Sequence, residues 1–77
     1  MRIQVFAILK EFFKKEFELK ASVHTIADLR AQLALINPEA AAVLKRCRFA
    51  IQDEMVSDHY LLTGNEHILV IPPSSGG

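Results

Sequence analysis

The stretch Phe17-Glu18-Leu19-Lys20-Ala21-Ser22-Val23, followed after His24 by Thr25-Ile26-Ala27-Asp28-Leu29-Arg30-Ala31-Gln32-Leu33-Ala34-Leu35-Ile36, changes its hydrophobic period part-way along. In the first half Phe17, Leu19, Ala21 and Val23 point one way and Glu18, Lys20 and Ser22 the other, the alternation of a half-buried strand. In the second half Ile26, Leu29, Leu33 and Ile36 fall on one helical stripe, whereas Arg30 and Gln32 face elsewhere. Thr25 is a good N-cap, and Asp28 three positions later places negative charge in the first turn. A strand feeding a capped amphipathic helix is the middle of an α+β domain.

Towards the N-terminus, Arg2-Ile3-Gln4-Val5-Phe6-Ala7-Ile8-Leu9 reads as one strand. Ile3, Val5, Ala7 and Leu9 share one face, and Gln4, Phe6 and Ile8 the other. Apolar side chains on both faces suggest a central strand, or one whose second face meets a partner. Residues 10–15 place charges around Phe12 and Phe13 and read as a helical turn or loop, which makes the first two strands an antiparallel hairpin. Towards the C-terminus, Asn37-Pro38 ends the main helix and starts a second, short one over residues 39–45, favoured by Ala40-Ala41-Ala42. Residues 48–52 form a strand with Phe49 and Ile51 inward, Asp53-Glu54 a turn, and Met55-Val56 a brief strand. Residues 57–62 are irregular, Thr63-Gly64-Asn65-Glu66 carries turn chemistry, and residues 67–71 form a β-rich run stopped by Pro72-Pro73. The order β-β-α-β-(β)-β predicts a β-grasp-like mixed sheet with one main helix on one face. The boundaries are a domain over 1–71 and an extended, flexible tail over 72–77.

Composition narrows the function. At 77 residues there is room for one small domain, and 51% hydrophobic against 23% charged residues is a globular balance. Nine basic residues offset nine acidic ones, so the basic excess of a phosphate-binding domain is missing and nucleic acid is not an expected partner. The single cysteine, Cys47, forms no internal disulfide, which points to a reducing, cytoplasmic setting. The longest apolar runs have five members, far short of the roughly 20 of a membrane span, so no membrane association is expected. His24, His59 and His67 lack metal-ligand spacing, and no glycine-rich loop follows a strand. Cys47 follows Lys45-Arg46 at a helix C-terminus, where the dipole disfavours a thiolate. No metal and no bound cofactor are expected, and the chain does not read as an enzyme on its own.

The informative feature is Ile71-Pro72-Pro73-Ser74-Ser75-Gly76-Gly77. Two prolines disfavour sheet and helix, and the residues after them carry no bulky side chain. Four residues extend about 13–14 Å when fully stretched. A Gly-Gly end without Cβ atoms can thread a narrow channel and present its α-carboxylate in another protein's active site. Adenylation by ATP would turn that carboxylate into an acyl phosphate with AMP as leaving group, and a sulfur nucleophile replacing AMP would leave a thiocarboxylate. The carrier then supplies the carbonyl, and partner enzymes supply nucleotide binding and catalysis.

With Val5-Phe6-Ala7, Lys10-Glu11, Leu29-Arg30-Ala31-Gln32-Leu33, Ala50-Ile51-Gln52 and Pro72-Pro73-x-x-Gly76-Gly77, the chain resembles the small subunit of molybdopterin synthase, a ubiquitin-like sulfur carrier. The resemblance covers essentially the whole chain. It implies a ubiquitin-like β-grasp fold and a reactive Gly77, preceded by Gly76, that is adenylated by a ubiquitin-activating-like adenylyltransferase using ATP and then converted to a thiocarboxylate. It implies a second partner, the large catalytic subunit of the synthase, in a heterotetramer where sulfur passes to a pterin precursor to build a dithiolene. It also implies an apolar partner-binding patch at Phe6, Met55 and Ile71, continued by Pro72, Pro73, Ser74 and Ser75. The chain departs from many relatives at Thr63-Gly64-Asn65-Glu66, where an Asp-Gly-Asp/Glu turn is common, and at Ser74 and Ser75, where larger or branched residues and threonine are common. Other readings are a carrier feeding thiamin thiazole, cysteine or tRNA thiolation, a protein modifier joined through Gly77, and a binding module with a silent terminus. Carriers and modifiers need Gly77 free; a silent module tolerates its loss.

Overall fold

The computed structural model describes residues 1–74. Alternation in the first and last apolar runs builds β1 (Arg2–Val5) and β5 (His67–Ile71), which pair in parallel, Ile3 opposite Ile68 and Val5 opposite Val70. β2 (Glu16–Glu18) pairs antiparallel with β1, as the predicted hairpin requires. β3 (Arg48–Ile51) lies antiparallel to β5 on its other side, and β4 (Glu54–Val56) closes the sheet against β3. The order β2-β1-β5-β3-β4 makes a five-stranded mixed sheet. Parallel pairing of neighbouring strands demands a crossover, which the helical segments between β2 and β3 provide.

The main helix, α1 (Ile26–Ile36), starts where the sequence places it. The Thr25 hydroxyl accepts from the Asp28 backbone N–H at 3.2 Å, and the Asp28 carboxylate accepts from the Thr25 N–H at 3.2 Å, a complete capping box. A further bond from the His24 N–H, together with those from Thr25, holds the Asp28 carboxyl below its usual range. Asn37 closes the helix and caps the next turn, accepting from the Glu39 N–H at 3.1 Å. A 3₁₀ turn, Pro38–Ala40, then runs into α2 (Ala41–Leu44).

One face of the sheet carries Ile3, Val5, Phe49, Ile51, Ile68 and Val70, all buried, and it packs on Ile26, Leu29, Leu33 and Leu44 from the helices. Each of these aliphatic and aromatic side chains contributes about 1.5–3 kcal/mol on leaving water. No buried side-chain nitrogen or oxygen among the described residues lacks a partner.

Several sequence expectations need correction. β1 stops at Val5 rather than continuing to Leu9. The chain turns at Ala7, whose φ is +54°, into a 3₁₀ turn over Ala7–Glu11, earlier than the turn expected over residues 10–15. Leu9 is still fully buried, because a helical turn returns an apolar side chain to the core as readily as strand alternation does. β2 is three residues long; beyond it Leu19 is buried and Ala21 and Val23 pack against the core without a ladder. Ile36, assigned to the buried stripe, is 49% exposed at the last position of α1. The tight turn between β3 and β4 is made by Gln52 and Asp53, both at positive φ (51° and 67°), so Glu54 belongs to β4. That left-handed pair matches the right-handed twist of a two-residue hairpin.

Arg30 does not face away from the structure. Its guanidinium donates to the Leu44 and Cys47 carbonyls, pairs with Asp58 Oδ1 at 2.7 Å and lies 4.8 Å from the centre of the Phe49 ring. It ties α1 to the end of α2 and to the loop after β4. No helix among the described residues is long and apolar enough to cross a membrane.

Candidate protein-docking surface

The second face of the sheet has no helix over it. Sheet register places Gln4, Leu69, Ala50 and Met55 side by side across β1, β5, β3 and β4. One row nearer the C-terminus, Ile71 lies opposite Arg48, and Phe6, in extended backbone just past β1, falls beside Ile71. Phe6, Leu69 and Ile71 are half-buried, Ala50 is covered by its larger neighbours, and Met55 is 56% exposed. None of these five belongs to the core cluster, whereas Phe12, Phe13 and Phe17 all pack on the core side, Phe13 stacked on Phe17 at 5.9 Å. The patch is therefore a surface separate from the core. An apolar strip on an open sheet face is the anatomy of a protein contact.

Of the residues assigned to this patch from sequence, Phe6 and Ile71 lie together at one end and Met55 lies across the sheet from them. Leu69 and Ala50, which join them into one strip, were missed. Alternation was the available signal: Leu69 stands between the inward Ile68 and Val70, and Ala50 between Phe49 and Ile51. Pro72 and Pro73, directly after β5, are half-buried and Ser74 is exposed, all three outside any strand. Ser75, Gly76 and Gly77 lie outside the described residues.

The end of the face away from Ile71 is polar. An open cleft of about 680 Å³ there is lined by Gln4, Gln52, Asp53, Glu66, His67 and Leu69, among others. His67 Nε2 lies 3.1 Å from Gln4 Oε1 and 3.8 Å from Glu16 Oε2, while Arg2 donates to Glu16 at 3.0 Å. The turn into β5 is organised by Glu66. Burial would raise its pKa, but its carboxylate accepts from the Thr63 N–H at 2.6 Å and the Gly64 N–H at 2.9 Å, and the net shift is downward. Gly64 stands at φ +103°, a conformation that suits glycine. The departure from the common Asp-Gly-Asp/Glu turn is thus accommodated by Glu66 capping two backbone donors.

No group of three or more His, Cys, Asp or Glu side chains among the described residues is arranged to hold a metal ion. Cys47 is 4% exposed, and its thiol lies 3.2 Å from the Val43 carbonyl. Burial pushes its pKa up, partly opposed by the nearby Arg30 charge, so the nucleophilic thiolate is disfavoured. If the chain carries sulfur as the motif resemblance implies, Cys47→Ser is expected to leave that transfer within about twofold of the parent, with at most a modest loss of stability from a hydroxyl in a small buried site. A complete loss of transfer in the folded variant would mean that the thiol takes part in the chemistry.

Residues 3–77 match the ThiS family. The chain belongs to that family. By sequence it is similar to the molybdopterin synthase sulfur carrier subunit of Chlamydomonas reinhardtii, with 38% identity over 66 residues, covering 83% of this chain and 78% of that protein. The resemblance to molybdopterin synthase small subunits read from the motifs is thereby shown. Two solved structures share the ubiquitin-like fold of this ThiS-family chain. SAMP1 from Haloferax volcanii superposes with a TM-score of 0.78 at 17% identity, covering 99% of this chain and 97% of that one. A chain of the complex of subunits 1 and 2 of the molybdopterin-converting factor from Helicobacter pylori 26695 gives 0.67 at 23% identity, covering 99% and 96%.

Proposed function

We propose that this ThiS-family protein is the sulfur carrier subunit of a molybdopterin synthase. The observation that carries the proposal is the 38% identity to a curated subunit of that description, extending over most of both chains. The Pro72-Pro73-x-x-Gly76-Gly77 motif and an apolar strip that leads along β5 towards it support the same reading.

In this proposal the Gly77 carboxylate attacks the α-phosphorus of ATP in the active site of a ubiquitin-activating-like adenylyltransferase, releasing pyrophosphate. A persulfide sulfur on a donor protein then displaces AMP from the acyl carbon to give an acyl disulfide. A second thiol cleaves its S–S bond by attacking the donor's sulfur, which leaves a disulfide on the thiol side and the terminus as a thiocarboxylate. In the large catalytic subunit the thiocarboxylate sulfur replaces an oxygen substituent on the side chain of the pterin precursor, breaking that C–O bond, and water cleaves the acyl–sulfur bond to restore the carboxylate. Two such discharges supply the two dithiolene sulfurs. The carrier contributes the acyl group and the docking surface; ATP binding and catalysis belong to the partners.

The test is the intact mass of the protein from its native host, followed by peptide mapping. An increase equal to one oxygen-to-sulfur exchange, located in the peptide ending at Gly77, is expected. Absence of the shift after incubation with ATP, the adenylyltransferase and a sulfur donor would refute the proposal. The pathway is tested separately, by whether the charged protein converts the pterin precursor in the presence of the large subunit.

The docking strip gives its own prediction. Leu69→Asp puts a charge in the middle of the apolar row and should weaken binding to the large subunit by at least about tenfold. The outward direction of this side chain predicts a native circular dichroism spectrum. Unchanged affinity would move the interface off this face.

A further inference from the structure

A formal net charge of zero conceals an uneven distribution of charge. β1 and β5 both finish at the edge of the sheet from which the tail departs, and β3 begins there. Lys10 lies in the 3₁₀ turn that follows β1, and Lys14 and Lys15 lead into β2, the Lys15 carbonyl accepting from the Val5 N–H at 2.9 Å. Lys45 and Arg46 join α2 to β3, whose first residue, Arg48, stands opposite Ile71. Six cations therefore occupy the segments around the base of the tail. Of the acidic side chains, Glu11 lies in the first of these turns and Glu39 in the turn before α2, while Glu16, which opens β2 at this edge, is bonded to Arg2, and Asp58, just past the end of β4, is paired with Arg30. None of the six cations forms an ion pair among the described residues.

The opposite edge lacks that excess. Asp53 and Glu54 stand at the β3–β4 turn, Glu66 precedes β5 and Glu18 ends β2. Arg2, Lys20 and the N-terminal ammonium are the cations there; Arg2 is bonded to Glu16, and the ammonium pairs with Glu18 at 2.9 Å. Arg48 and Ile51, the two ends of β3, are three residues apart, about 10 Å at about 3.3 Å per residue, with the Asp53 turn beyond Ile51, and a Debye length at physiological salt is about 8 Å. An approaching surface thus meets an edge with an excess of unpaired cations or one where charges nearly balance, depending on which end it faces.

We propose that these cations form a basic collar that steers the carrier tail-first onto a partner protein whose tail-receiving cleft is rimmed by Asp and Glu carboxylates. The inference rests on the carrier reading, since a collar around the tail has this use only when the tail enters a partner. The collar is continuous with the apolar end of the docking strip, because Arg48, Ile71 and Phe6 adjoin. That continuity favours a protein surface, with an apolar centre and a charged rim, over a run of phosphates. A partner rim of like charge would repel the tail-bearing end, whereas an acidic rim orients the encounter and raises the association rate.

The test is stopped-flow association of the full-length chain with the large synthase subunit of the same organism, across a range of ionic strength. For the parent chain kon should fall about tenfold or more from low to high salt. Lys14→Glu/Lys15→Glu should slow kon about tenfold at low salt, with koff within about twofold and an unchanged circular dichroism spectrum. Asp53→Asn/Glu54→Gln, at the far edge, should change kon by less than about twofold. A kon independent of salt, or equal slowing by the far-edge variant, overturns the collar and leaves the carrier reading standing. Failure of the parent chain to bind the large subunit at all overturns both. Binding of a short single-stranded RNA that is lost in the lysine variant, with protein association unaffected, reassigns the cations to nucleic acid and equally overturns the proposal.

Discussion

Removal of Gly77 should abolish sulfur transfer while leaving the domain folded. Among the described residues every member of the buried core lies at or before Val70, so the domain is expected to fold without the last residue. The shortened chain still ends in a glycine carboxylate, that of Gly76, with the same intrinsic chemistry. Its reach is shorter by one residue, about 3.3–3.6 Å. A reacting carbon displaced by about 1 Å already costs on the order of 100-fold in rate, so a displacement this large should reduce both adenylation and transfer below detection. Binding to the large subunit should weaken much less, because the sheet face is intact. The measurements are thiocarboxylate formation by intact mass, pterin conversion, and a thermal unfolding midpoint. Transfer by the truncated chain at more than about a tenth of the parent rate would remove Gly77 from the mechanism. Loss of the folded state would instead show that the terminus has a structural role.

The largest effect on stability is expected at Phe49. Its ring is 1% exposed, it faces the helices from β3, and the Arg30 guanidinium sits 4.8 Å from its centre. Phe49→Ala should cost about 3–5 kcal/mol in lost burial and in the cavity left behind. At 0.05–0.15 kcal/mol per residue, a chain of 77 residues has a total stability of about 4–11 kcal/mol. The substitution should therefore leave the protein partly unfolded at room temperature or sharply lower its urea midpoint. Arg30 would keep its bonds to the Leu44 and Cys47 carbonyls and to Asp58, but lose the ring beneath it. Phe49→Leu, which retains most of the volume, should recover more than half of the loss. A destabilisation by Phe49→Ala below about 1 kcal/mol would mean that this part of the core is not packed as described.

These two positions lie at opposite extremes of what a sequence exposes to a reader. Gly77 is legible because its chemistry is local: the proline stop and the absence of side chains describe a tail without reference to any other residue. Phe49 could be assigned inward from alternation, but its cation partner could not be foreseen. Arg30 is 19 residues away and sits on a helix position that the stripe leaves outside. A charged side chain becomes half-buried when carbonyls and a carboxylate from distant segments converge on it, and periodicity carries no trace of that.

By itself the sequence determined the α+β order, the Thr25 cap and the inward face of β3. Each of these rests on interactions between neighbours in the chain, or on a period that one face imposes. Tertiary structure alone decided the parallel pairing of β1 with β5. It also decided the exit of the chain at Ala7, the joining of Phe6, Leu69, Ala50, Met55 and Ile71 into one strip, and the sorting of cations to the tail-bearing edge. These depend on which strands become neighbours. That is settled by burial of the whole apolar face at once, a quantity no single segment contains.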